Sequence, residues 1–315
     1  MSLYPKKALY YQALVGIPRG PKSQVYVVDP ANGSDGNTGT TFEQPLATLP
    51  AAYAKCVANQ HDVVLYVAGS ASISLAAQLV WAKNYTHLIG LCAPSRLAQR
   101  ARIFQTAGDL NLSPLINITA TGCIFRDLYI FQGTDDAQSL VDVQVTGGRN
   151  VFENVHFAGG GHATNAITGC ASLKLDGAEE NLFRRCTFGL DTIAAGTGLV
   201  NLLFDSEAHR NVFEDCLFSL WAGNAGAAWV KVADATGIDR FNTFDRCTFL
   251  NTSATGLTSG FVIPAGMGAP RRLFLRDCMA YGAAKWDASD RGVLFGNMNA
   301  VTAADLSGVA VEMIT

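Results

Sequence analysis

Glu214 and Asp245 are the two carboxylates whose spacing best suits chemistry. They belong to one column of a repeat, Glu153, Arg184, Glu214, Asp245 and Arg276. Residues at one phase of stacked strands lie about 4.8 Å apart. Two carboxyl groups at about that separation on one groove can hydrolyse a glycosidic bond, one as acid and the other as nucleophile or base. The neighbouring column, Asn154, Arg185, Asp215, Arg246 and Asp277, alternates in sign over its last four members. The plainer interpretation is therefore a solvated face of cross-strand ion pairs, such as Arg184 with Glu214. Trp221, Trp229 and Trp286 could stack on sugars or seal a subunit contact.

Other reactive residue types give less. The five histidines (His61, His87, His156, His162 and His209) show no ligand spacing, so no metal site is expected. Eight cysteines include no C-x-x-C pair. Four of them, Cys186, Cys216, Cys247 and Cys278, share one apolar column and read as small core residues rather than a metal or redox ladder. Gly159-Gly160-Gly161 lacks the Gly-Lys-Ser/Thr of a phosphate loop. No motif calls for a cofactor.

The elements that would position these residues are set by a block returning about every 30 residues. Its first positions are Phe125, Phe152, Phe183, Phe213, Phe244 and Leu275, spaced 27, 31, 30, 31 and 31 apart. Such a period marks a solenoid, whose coils bury their apolar faces only by stacking. A second apolar column is Leu128, Val155, Cys186, Cys216, Cys247 and Cys278, and a third is Ile130, Phe157, Phe188, Phe218, Phe249 and Ala280. The second and third are two residues apart, as on a strand. The first precedes the second by three, so the chain should bend between them. Asn150, Asn181, Asn211 and Asn242 form a polar column that predicts an amide ladder at a turn. A second strand precedes each Asn: Leu140–Val145, Leu173–Leu175, Leu202–Phe204, Trp229–Val232 and Phe261–Ile263. Gly/Ala/Thr-rich stretches such as 158–171, 189–198 and 221–228 read as loops leaving one corner.

The chain has 315 residues, of which 49% are hydrophobic and 16% charged, with a net charge of −3. No basic surface for nucleic acid is implied. The first residues carry neither a secretory signal nor a membrane span, which fits reduced thiols and synthesis in a cytoplasm. Three regions are expected: an arm over 1–24, an entry and cap over 25–60, and a solenoid over 61–315 ending in a C-terminal strand. The arm is apolar and aromatic, with Tyr4, Leu9, Tyr10, Tyr11, Leu14 and Ile17 available to dock on a partner or to fold back on the chain itself. Thr48 should N-cap a short helix with Pro50 in its first turn, and Leu49, Tyr53, Cys56 and Val57 on its buried face. The oxygen-rich run 29–37 fails as an EF-hand loop, because placing the required glycine on Gly36 puts Ala31 at position one and Phe42 at position twelve.

Pro30-Ala31-Asn32-Gly33-Ser34-Asp35-Gly36-Asn37-Thr38-Gly39-Thr40, then Pro45-Leu46-Ala47-Thr48, resembles the N-terminal signature of pectin-lyase-like right-handed parallel β-helix proteins. With Val63–Gly69 as a first coil, the resemblance covers about residues 25–295. It implies an all-β, single-stranded right-handed parallel β-helix with an N-terminal capping helix. That family spans lyases, hydrolases, phage tailspikes and non-enzymatic virion proteins, so fold does not decide function. No Asp cluster with Arg or Lys matches the Ca²⁺-dependent lyases, and no paired-Asp motif matches the polygalacturonases. No catalytic residue is therefore carried over.

Two functions follow. The first is a bacteriophage structural protein, of the capsid decoration (cement) or head-fibre kind. It would be a homotrimer in the virion, docked by its arm on the major capsid or another virion protein. The second is a tailspike-like polysaccharide depolymerase, with a groove lined by Glu214, Asp245 and tryptophans. A surface glycan is a partner in that case. Neither needs nucleic acid, membrane, metal or cofactor.

Overall fold

The computed structural model describes residues 14–97, 101–108, 110–133, 136, 138–160, 167–267, 271–287 and 293–295. They form a parallel β-helix whose strand pairings are all parallel. The coil has three sides. One wall contains Val141–Val145, Ala171–Asp176, Val200–Asp205 and Ala228–Val232, within a seven-stranded sheet. The chain then turns at the Asn column and enters the second wall, for example at Val212–Glu214. A bend leads to the third wall, for example Leu217–Ala222, and loops return the chain to the first.

The bend between the first and second Phe-block columns has a specific cause. Asp127, Asn154, Arg185, Asp215, Arg246 and Asp277 all adopt left-handed backbone, with φ between 51° and 57°. Four of the six are Asp or Asn, the types that tolerate this conformation best outside glycine. Stacking secures it: the bend N–H of Arg185 reaches Glu214 O at 2.9 Å, that of Asp215 reaches Asp245 O at 2.9 Å, and that of Arg246 reaches Arg276 O at 2.8 Å.

Inside, the columns are ladders. Phe152, Phe183, Phe213 and Phe244 stack with centroids 4.6, 4.7 and 4.7 Å apart, and Phe188, Phe218 and Phe249 at 4.5 and 4.6 Å. These are strand spacings, so the sheet itself sets the offset stack, worth about 0.5–1.5 kcal/mol per pair beyond burial. Cys186, Cys216 and Cys247 donate their thiols to the carbonyls of Phe152, Phe183 and Phe213 one coil back, at 3.3–3.4 Å. All eight cysteines are free. The Asn column is an amide ladder: Asn181 Nδ2 donates to Asn211 Oδ1 and Asn211 Nδ2 to Asn242 Oδ1, each at 3.0 Å.

At the N-terminal end Thr48 caps the helix Leu49–Lys55. Leu49, Tyr53 and Cys56 are buried, but Val57 is exposed, because the helix ends before it. The 29–37 turn is a clasp: Asp35 accepts from Ala47 N, Thr48 N and Thr48 Oγ1 at 2.8–2.9 Å. The described part of the arm folds back on its own solenoid. Ile17 is buried against Val25, Val63, Leu65 and Ile89, with Leu14 beside them. Tyr4, Leu9, Tyr10, Tyr11 and the C-terminal strand lie outside the described residues.

Candidate functional site

The two charged columns stand side by side on the outer face at the bend. Glu214 and Asp245 are paired in register, so the solenoid brings them to adjacent coils as their spacing requires. Arginine then claims each of them. Arg184 Nε lies 3.0 Å from Glu214 Oε2, and Arg276 holds Asp245 through two bonds of 2.6 and 2.7 Å. Arg246 bridges Asp215 at 2.8 Å and also reaches Asp245. The Arg276 guanidinium keeps the Asp245 carboxyl below its usual range, and Arg246 does the same for Asp215. A carboxylate stabilised in its charged form is a poor proton donor. This end of the face is an ion-pair ladder.

The same columns open into a cleft two coils earlier, with a volume of about 680 Å³. Its floor carries Arg126, Asp127, Glu153, Asn154 and Arg185, and its rim is Leu91, Cys92, Pro94 and Arg96. The segment after the strand His87–Leu91 builds that rim by running along the axis. Arg96 donates to Asp215 O, and its own carbonyl accepts Thr187 Oγ1 at 2.9 Å. Gly90 is required here, since a Cβ on it would fall 2.0 Å from Asp127 O.

Asp127 is the distinctive group. It lies at the bend, in contact with Asn154 Nδ2 at 2.6 Å and with Arg126 Nε at 3.8 Å. Burial raises its carboxyl above the ordinary value, the Asn154 bond and Arg126 oppose that, and nearby Glu153 adds to it. Glu153 Oε1 accepts from Arg185 at 2.6 Å. The cleft thus holds one carboxyl pushed toward its protonated form beside one paired with a cation. That is the division of labour an acid–base pair needs. Glu153 stands in the column expected to carry chemistry, whereas Asp127 and Arg126 are not among the residues the repeat singles out. The signal was present: Asp127 is the bend carboxylate stacked under an asparagine, below the point where sign alternation begins at Arg185.

Of the tryptophans, Trp229 and Trp286 are buried and pack on Phe249 and Phe261. They are core residues, packed inside the tube among its phenylalanines. Trp221 alone of the three is exposed. His61 and His87, 26 residues apart, meet in space at 3.1 Å. Among the described residues no group of three His, Cys, Asp or Glu side chains is placed to hold a metal ion.

The sequence matches no family model and no curated protein. Its structure is similar to solved enzymes at low identity. A pectin methylesterase from Aspergillus niger aligns over 88% of this chain and 85% of its own, at 13% identity and TM-score 0.58. A rhamnogalacturonan lyase aligns over 87% and 73%, at 16% identity and TM-score 0.60. Pectate lyase Pel9A aligns over 91% and 80%, at 12% identity and TM-score 0.52. At such identities the likeness speaks to architecture: this chain has the right-handed parallel β-helix fold.

Proposed function

We propose that this protein cleaves a polysaccharide bound in the cleft at Arg126–Arg185. The observation that carries the reading is the Asp127 carboxyl, raised by burial and set beside Glu153 in an open groove. In this mechanism Asp127 gives its proton to the glycosidic oxygen as the bond to the anomeric carbon breaks. Glu153 takes a proton from the water whose oxygen attacks that carbon. Arg126, Arg185 and Arg96 bring three cations to the cleft, which favours an acidic chain. Support also comes from the names of the fold neighbours, which are pectin-modifying enzymes.

The test is incubation of the protein with a panel of neutral and acidic polysaccharides. New reducing ends without an unsaturated product, lost in Asp127→Asn, are expected. An unsaturated product would reassign the reaction to elimination. No cleavage of any polymer would sink the reading. The second candidate, a bacteriophage capsid decoration or head-fibre protein, has thinner support. Ile17 and Leu14 of its docking arm are engaged within the chain, and none of the three fold neighbours described is a virion protein.

A further inference from the structure

The third wall carries a cation, Arg102, with no ion pair among the described residues. Arg102 and Phe104 on one coil pair in register with Tyr129 and Phe131 on the next. Ile103 and Ile130 between them point into the core, at 0% and 3% exposure. The four others therefore form a two-by-two patch on the outer face, each partly exposed. Within it the Arg102 guanidinium lies 5.2, 5.6 and 4.9 Å from the ring centroids of Phe104, Tyr129 and Phe131.

Many arginines elsewhere on this solenoid are held by carboxylates, as Arg184, Arg185, Arg246 and Arg276 are. Arg102 is different: among the described residues it has no ion pair, and its Nε is buried with no hydrogen-bond partner. An unsatisfied buried donor carries a desolvation cost that a ligand acceptor would remove. The patch is also shaped around its rings. A Cβ at residue 133 would sit 1.9 Å from the Phe131 ring, so Gly133 leaves that ring its place.

We propose that Arg102 and the rings of Phe104, Tyr129 and Phe131 form a binding subsite for an anionic sugar. The guanidinium takes a carboxylate or sulfate oxygen pair, and the ring faces take the C–H surface of the pyranose. Tyr129 lies two residues beyond Asp127, so the subsite adjoins the cleft across the bend. The identity of the chain that spans both rests on the cleavage reading above. Binding at Arg102 does not.

The experiment is an NMR titration of the arginine Nε–H signals of the full chain, with the Arg102 signal assigned by its loss in Arg102→Met. The probes are galacturonate, glucose 6-sulfate and glucose. A saturable shift of the Arg102 signal with one or both anions, and none with glucose, is expected, and the two anions separate carboxylate from sulfate recognition. Phe131→Ala should weaken that binding by roughly tenfold. An Arg102 signal unmoved by both anions, or moved equally by glucose, would overturn the proposal. A shift at Arg102 in a protein that cleaves no polymer would keep the subsite and remove the enzymatic reading instead.

Discussion

His61 Nδ1 and His87 Nε2 share one hydrogen bond of 3.1 Å, with the two rings stacked 5.3 Å apart. The backbone fixes its direction. Ile124 N donates to His87 Nδ1 at 3.0 Å, so that nitrogen carries no proton. Neutral His87 therefore donates from Nε2, and His61 accepts. A further proton on either ring would set two donors head to head.

Acid sensitivity follows from this pair. Burial, then His61 and Arg19, lowers His87 from 6.5 to about 4. Tyr85 also faces His61, and Asp62 anchors the adjoining backbone. A depressed base is neutral in both states above pH 6.5. Below that the unfolded chain binds the proton first, so stability falls between pH 6.5 and about 4. The contribution is at most about 3 to 4 kcal/mol, the drop from 6.5 to about 4 taken at about 1.36 kcal/mol per pH unit. Urea unfolding across this range should show the loss, and His87→Gln should remove part of it. His156, also lowered to about 4 by burial, accounts for a similar share. A pH-independent midpoint would contradict this account.

Asp142 acts in the opposite direction. Its side chain is fully buried with no well-formed hydrogen bond to either oxygen, so burial raises its carboxyl well above the ordinary value, opposed only in part by the Gly159 N–H. The folded state keeps it protonated while the unfolded chain ionises. Stability should therefore decline as pH rises above the usual carboxylate range, by up to about 1.4 kcal/mol per pH unit until the folded group ionises. Asp142→Asn should leave stability near pH 4 almost unchanged and raise it at pH 8. Equal stabilisation at both values would mean that packing, rather than charge, explains the effect.

The contrast between these groups and the ladders shows what the sequence made legible. Phe183, Cys186 and Asn181 recur at a period, and a period is a one-dimensional signal that translates directly into stacked columns. The bend was legible too, since a three-residue offset cannot continue one strand. The cleft was not. It depends on Arg96 crossing the coils to Asp215 and Thr187, contacts 119 and 91 residues away that follow no repeat. Nor does the repeat show the burial of Asp142 and Trp229, which lie within the wall strands Val141–Val145 and Ala228–Val232.

The Asn ladder should be the least tolerant polar element. Asn211 donates to Ala178 O and Asn242 Oδ1, and its Oδ1 accepts from Asn181 N and Nδ2, all at 2.9–3.1 Å and fully buried. Asn211→Ala strands buried partners on two coils, at a cost of about 1–3 kcal/mol for each group left unsatisfied. Asn211→Asp should be no better, because it removes both amide donors and adds a buried charge. Denaturant unfolding would show it: a loss below about 1 kcal/mol for Asn211→Ala would mean that water replaces the ladder.

The two carboxylate pairs of the outer face make the sharpest functional contrast. Glu214 and Asp245 are adjacent on the solenoid, yet each is bound to arginine, and Asp245 is held in its ionised form. Glu153 belongs to the same column and Asp127 to the bend column beside it, but Asp127 meets Asn154 in place of an arginine above it, and burial dominates its titration. If proton donation is what the face supplies, Asp127→Asn should abolish cleavage, a loss on the order of a hundredfold or more. Glu214→Gln and Asp245→Asn should keep most of the activity. Glu214→Gln should cost only about 0–1 kcal/mol of stability, as partly exposed ion pairs do, and Asp245→Asn more, because Asp245 is buried and held by two arginines. The wild-type rate should also fall as pH rises through the raised Asp127 value, because the proton donor is then lost. Activity that survives in Asp127→Asn and disappears in Asp245→Asn would move the chemistry to the ion-pair ladder.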